Sequence, residues 1–156
     1  MIQLPSIPPN HMIEYQKIIP YTALFAPQTT FSVVVVGLPS NYVVCGTCVR
    51  LLETFRGSTL HTLTCSLGAF VPNSILTDIT YYGMALELAQ LPTPKTFQTS
   101  GPANNDITNY INAFSPVTGL YFNGPHDVAA YFTATGVNLS ALTAGSVEVT
   151  CQIRPL

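Results

Sequence analysis

The 156-residue sequence predicts an all-β fold: an antiparallel β-sandwich with an extended N-terminal arm and one long loop. Three observations carry that expectation. Short runs of alternating apolar and polar residues recur, clusters of Gly, Pro and Asn separate them, and no stretch sustains a helical period. Repeated short strands with turn signals, without intervening helices or an internal repeat, are the pattern of a sandwich or barrel. A chain of this length folded as one domain buries roughly 70% of its unfolded surface, so its core requires no staples.

Residues 1–12 form the arm. Pro5, Pro8 and Pro9 favour extended backbone at about 3.1 Å per residue, a reach of roughly 35 Å. Leu4, Pro5, Ile7, Pro8 and Pro9 are therefore candidate partner contacts, with a frayed terminus as the competing reading. The sandwich domain is expected over residues 13–156. Within it, residues 31–36 end at Gly37-Leu38-Pro39 and carry four consecutive valines, the pattern of a strand buried on both faces and an aggregation hazard if exposed. Residues 42–53 place Val43, Cys45, Val49 and Leu51 on one parity, ahead of a turn at Arg56-Gly57-Ser58. Residues 59–67 alternate Leu63, Cys65 and Leu67 against Thr62, Thr64 and Ser66, as a hairpin partner of the preceding strand would.

Residues 75–82 and 84–91 read as two strand pieces separated by Gly83, although residues 84–89 have the propensity for a short helix. Residues 92–116 show little periodicity and are expected to be the long loop, with a single helical turn around 108–113. Connections of that length in a compact domain are usually functional or mobile. Pro94, Phe97, Asn104, Asn105 and Tyr110 are its candidate contact residues. Two strands close the chain. Val128, Ala130, Phe132 and Ala134 form the apolar face of one; Val147, Val149, Cys151 and Ile153 form that of the other. The connection between them, bounded by Gly136 and Gly145, carries Leu139 and Leu142 three residues apart, placed to plug one end of the sandwich.

Charge narrows the function classes. Lys, Arg, Asp and Glu total twelve residues, 8% of the chain, against about 25% in ordinary soluble domains. Spread over the roughly 7,600 Å² expected of a 16.8 kDa fold, that is about one charge per 640 Å². Neutral polarity replaces charge, with 19 Thr, 10 Ser, 9 Asn and 6 Gln. Apolar content of 47% at a net charge of −2 opposes disorder. Five scattered cations cannot supply the phosphate contacts of nucleic-acid binding, so no nucleic-acid partner is expected. No membrane partner is expected either, because the longest apolar run, residues 31–38, is strand-sized. The N-terminus has no basic and apolar leader pattern, so the cysteines are expected to be reduced and the sequon Asn138-Leu139-Ser140 to be an unmodified turn. A surface so poor in charge suits a subunit packed against neighbours.

Chemistry-bearing residues are few. Cys45-Gly46-Thr47-Cys48, with Cys65 and Cys151, has the pair spacing of a zinc site, but in a regular strand positions 45 and 48 face opposite ways, and Cys65 and Cys151 sit on apolar parities. All four read as core cysteines, with metal and disulfide roles as the alternatives. His11, His61 and His126 fall in the arm, near a strand end and in a turn; His61 is expected to be satisfied or half-buried. The seven carboxylates are dispersed, and no nucleophile elbow, P-loop or dinucleotide fingerprint occurs. Asn104-Asn105-Asp106 with Thr108 lacks the acidic density of a calcium loop and reads as a turn. No enzyme and no cofactor are expected. The tyrosine-rich pairs 81–82, 121–122 and 131–132 leave a carbohydrate-binding module as a minor alternative.

The segment Phe132-Thr133-Ala134-Thr135-Gly136-Val137-Asn138-Leu139-Ser140-Ala141-Leu142-Thr143-Ala144-Gly145-Ser146-Val147-Glu148-Val149 resembles the closing segment of small β-rich virion proteins of tailed bacteriophages, with the pattern FTxTGxNLxxLTAGxVxV. The match is confined to this C-terminal region, and the order of strands before it agrees only loosely. The resemblance implies a jelly-roll-like structural protein of the virion, of the cement or decoration type that clamps the major capsid protein. It carries no catalytic residues, and a neck or tail position is the alternative; a homo-oligomer is expected on separate grounds, since closed symmetry, most naturally a trimer, would bury part of the uncharged surface. The four cysteines, the proline-rich arm and the loop at 92–116 depart from the family pattern.

Overall fold

The computed structural model describes residues 13–70, 78–89, 95–98 and 125–155. Its elements are β1 (Ile13–Pro20), a 3-10 turn η1 (Tyr21–Leu24), β2 (Thr30–Leu38), β3 (Tyr42–Gly57), β4 (Thr62–Phe70), β5 (Asp78–Glu87), β6 (Lys95–Gln98), β7 (His126–Thr135), a second 3-10 turn η2 (Leu139–Ala141) and β8 (Leu142–Pro155). They form two four-stranded sheets, one in the order β1-β8-β3-β6 and the other β2-β7-β4-β5. Every described pairing is antiparallel. The pairs nest: β1 with β8, β2 with β7, β3 with β6, β4 with β5. A long hairpin rolled onto itself gives this order, which is the eight-stranded jelly roll. The expected all-β sandwich is the fold observed.

The core lies between the sheets and is built by the alternation read from the sequence. Val147, Val149, Cys151 and Ile153 of β8 face Val128, Ala130, Phe132 and Ala134 of β7, all essentially without solvent exposure. Phe55 of β3 meets Phe132 across the interface with ring centroids 6.4 Å apart and planes tilted by 48°, a favoured aromatic geometry. Leu139 and Leu142 are buried at one end, the plug expected of that connection. Gly136 and Gly145 hold φ of +88° and +128°, conformations that side chains resist. The two glycines of the terminal motif are thus backbone requirements.

Several expectations need correction. β3 and β4 are not a hairpin: they belong to opposite sheets, and residues 58–61 carry the chain across. In β3 the register slips between Val44 and Gly46, and one extra residue exchanges the faces. Tyr42 and Val44, not Val43, therefore pack on the core, while Thr47, Val49 and Leu51 point inward beyond the slip. β2 is an edge strand, so Phe31 and Val34 are exposed and only its second half, from Val35 to Leu38, is buried. β5 runs through Gly83 as one strand, without the competing helix. Within the stretch read as a 92–116 loop, residues 95–98 form β6, pairing Phe97 with Val49 at the edge of the first sheet. Thr96 and Phe97 have the β propensity for it, and an edge position tolerates so short a strand.

Candidate interaction surface

Polar side chains in the interior are committed to structure. The Tyr82 hydroxyl and His126 Nε2 share a hydrogen bond of 2.6 Å, and both residues are buried. Thr47 Oγ1 donates to the Tyr82 carbonyl at 3.0 Å, tying β3 of one sheet to β5 of the other. His126 thus opens β7 inside the core rather than occupying an exposed turn. His61 is exposed just ahead of β4, its backbone N–H donating to Thr135 O at 2.9 Å. An open cleft of about 500 Å³ beside it is lined by Phe55, Arg56, Gly57, Leu60, His61 and Ala89, a set with no carboxylate and no nucleophile.

Cys65 and Cys151 are fully buried in opposite sheets, the core role expected of them. Burial pushes both thiols up to about 12. Cys48 is half-buried, and its thiol is raised first by burial and then by the Glu148 and Glu14 carboxylates. Among the described residues no three His, Cys, Asp or Glu side chains are grouped to hold a metal, and no helix is long and apolar enough to cross a membrane. Of the tyrosines raised as a sugar platform, Tyr82 is buried and Tyr131 half-buried.

The exposed apolar residues are more telling. Phe25 is 75% exposed; Ile18, Phe31 and Val34 of β1 and β2 and Ile79 of β5 are exposed as well. Phe25 is held outward by its neighbours. Leu24 and Ala26 on either side are buried, and the backbone after it is pinned by three hydrogen bonds: Ser140 N–H to Ala26 O, Leu139 N–H to Gln28 O, and Ala134 N–H to Thr29 O, at 2.7 to 2.9 Å. Lys17 Nζ donates to Val34 O at 2.7 Å, joining the edges of the two sheets between Ile18 and Val34. The cation is thereby turned onto a backbone carbonyl of an otherwise open strand edge, a device that discourages strand addition at that point.

The contact residues expected from the sequence are not these. Leu4, Pro5, Ile7, Pro8 and Pro9, and Pro94, Asn104, Asn105 and Tyr110, lie outside the described residues; Phe97 lies in β6. Taking Ile13, Tyr15 and Ile19 as one parity leaves Ile18 facing out, a signal present in the sequence. No sequence signal distinguishes Phe25 from a core phenylalanine, because the bonds that hold it come from residues more than a hundred positions away.

No protein-family model matches the sequence, and no curated protein does. The fold is similar to that of a chain in the capsid asymmetric unit of cyanophage Pam1, with a TM-score of 0.52 and 17% identity over 99% of this chain and 95% of that one.

Proposed function

We propose that this chain is a structural protein of a bacteriophage virion, a cement or decoration protein that stabilises the head by bridging major capsid subunits. The observation that carries the reading is the similarity over nearly the full length of both chains to a component of a cyanophage capsid unit. Two features of the chain suit it, the scarcity of charge and an exposed aromatic residue on the surface, alongside the resemblance read from the terminal segment. Such a role is thermodynamic rather than catalytic. Each copy binds assembled subunits in preference to free ones, and many modest contacts together stabilise the shell. Closed symmetry, a trimer at a capsid threefold, would cover part of the uncharged surface. The arm residues Leu4 to Pro9, the loop residues Asn104, Asn105 and Tyr110, and the β6 residue Phe97 are assigned to neighbouring subunits.

Localising the chain in purified particles by electron cryomicroscopy tests the reading. Density for the jelly roll on the outside of the head, at capsid symmetry, is expected. Density in the neck or tail would overturn the cement role, and absence from the particle would overturn the virion role.

A further inference from the structure

We infer that the open cleft between Arg56 and His61 is a binding site for an acidic segment of a partner protein, taking one carboxylate together with an apolar side chain next to it. The site stands apart from the virion reading, whose contacts fall on other residues. It is built on a turn. β3 ends in Phe55, Arg56 and Gly57; Leu60 N–H donates to Gly57 O at 3.3 Å, and His61 N–H donates to Thr135 O at 2.9 Å. Arg56 and His61 therefore stand at the two ends of one closed turn, and both line the cleft.

The frame of the cleft is fixed before any ligand arrives. Thr59 Oγ1 donates to Gly136 O at 2.8 Å and Thr143 Oγ1 to Arg56 O at 3.3 Å, tying the turn to the end of β7 and to β8. A Cβ on Gly136 would collide with Thr59 O and stand 2.6 Å from His61 Cδ2, so the imidazole packs on backbone that only a glycine leaves bare. Phe55, buried in the core, supplies the apolar part of the lining with Leu60 and Ala89. The volume of about 500 Å³ lies in the range of sites that enclose a small ligand. Walls held in this way spare a ligand the cost of ordering them.

Charge selects the ligand. The chain has five Lys and Arg against seven Asp and Glu, yet the lining includes Arg56 and no carboxylate. Among the described residues no ion pair or side-chain hydrogen bond occupies the Arg56 guanidinium. Neither Glu53 nor Glu87 lines the cleft, and Glu87 Oε1 is engaged by the N–H groups of Leu63 and Ala89. A guanidinium presents a planar fork of donors, which a carboxylate meets with two parallel hydrogen bonds. A nucleic acid does not match, because one arginine cannot hold successive phosphates. A bare anion would leave Phe55, Leu60 and Ala89 unused. An aspartate or glutamate beside an apolar side chain uses both parts of the lining, and the open side of the cleft lets a chain pass across it.

The test titrates the isotope-labelled full chain with the capped peptide acetyl-Leu-Asp-Leu-amide and follows the backbone amide resonances. Saturable shifts are expected at Gly57, Leu60, His61 and Ala89. Affinity for acetyl-Leu-Asn-Leu-amide should be weaker by about tenfold or more, the worth of a charge-assisted hydrogen bond. Arg56 is exposed, so Arg56→Gln should leave thermal unfolding unchanged while weakening the aspartate peptide by a similar factor. Equal affinity for the two peptides, unaltered affinity in Arg56→Gln, or no saturable shift would each overturn the inference. Inorganic phosphate matching the aspartate peptide in affinity would also overturn it, since the site would then take a bare anion. These readouts need no particle: a failed titration sinks this inference alone, and absence of the chain from the particle sinks only the virion reading.

Discussion

Phe55 lies directly over Gly145: a Cβ built on the glycine would stand 2.4 Å from the phenylalanine ring and 2.7 Å from its Cα. Rotating the ring cannot relieve the second contact, and Gly145 also holds φ of +128°. Gly145→Ala should therefore combine backbone strain with overpacking, about 4 kcal/mol together. That is a large part of the stability of an ordinary domain. Gly57→Ala is the control, because its nearest contact is Ala141 O at 3.2 Å and its backbone carries no such strain. Urea denaturation should show less than half the loss for Gly57→Ala; equal losses would contradict the assignment.

The terminal strands are legible in the sequence because β7 and β8 are the inner strands on which the roll closes, each with partners on both sides, so regular alternation matches regular burial. The early strands are not. Lys17 occupies an inward position of β1, and single extra residues near Val35 in β2 and between Val44 and Gly46 in β3 exchange the faces partway along each strand. Parity counted from either end of such a strand mispredicts the other, and Val43 is the instance in β3. Phe25 is illegible for a different reason: its exposure is imposed by backbone bonds to η2 and β7, which no local pattern encodes.

Glu87 supplies a second prediction. Its Oε1 accepts from the backbone N–H of Leu63 at 3.0 Å and of Ala89 at 2.8 Å, closing the ladder where β5 leaves β4. Glu87→Ala strands two partly buried donors and should cost about 1–3 kcal/mol. Glu87→Gln keeps an acceptor oxygen and should cost clearly less. Equal denaturation midpoints for Glu87→Ala and the parent chain would mean that water replaces the carboxylate without penalty.

Tyr82→Phe removes the hydroxyl that meets His126 Nε2 while preserving the ring stacked 6.0 Å from the imidazole. The buried histidine then loses a short hydrogen bond without gaining solvent, at a cost of about 1–3 kcal/mol. Because Thr47 bonds the Tyr82 carbonyl and not its side chain, the tie between the sheets persists. The variant should unfold cooperatively at a lower temperature, with an unchanged circular dichroism spectrum below the transition. A changed native spectrum would show that the hydroxyl organises the fold itself.

The buried thiols predict the alkaline limit of the protein. Burial holds Cys65 and Cys151 at about 12 against an ordinary value of 9.0. Below pH 9 both are protonated whether the chain is folded or not, and their contribution to stability is complete. Between pH 9 and pH 12 the unfolded chain releases these protons and the folded chain does not, so stability falls with rising pH. A tenfold difference in proton affinity between the two states is worth about 1.4 kcal/mol, which makes the loss on the order of a few kcal/mol per thiol by pH 12. The same burial orders the reactivity of the three cysteines whose side chains are described, Cys48, Cys65 and Cys151, since the thiolate is the attacking species. At pH 8, mass-spectrometric mapping of iodoacetamide adducts on the native chain should find Cys48 modified before Cys65 and Cys151, which stay protected until unfolding. In C65A/C151A, stability should decline less steeply over pH 9 to 12 than in the parent. A parallel decline would assign the alkaline limit to other groups, the tyrosines foremost, and rapid native modification of Cys151 would contradict its place at the centre of the β8 core face.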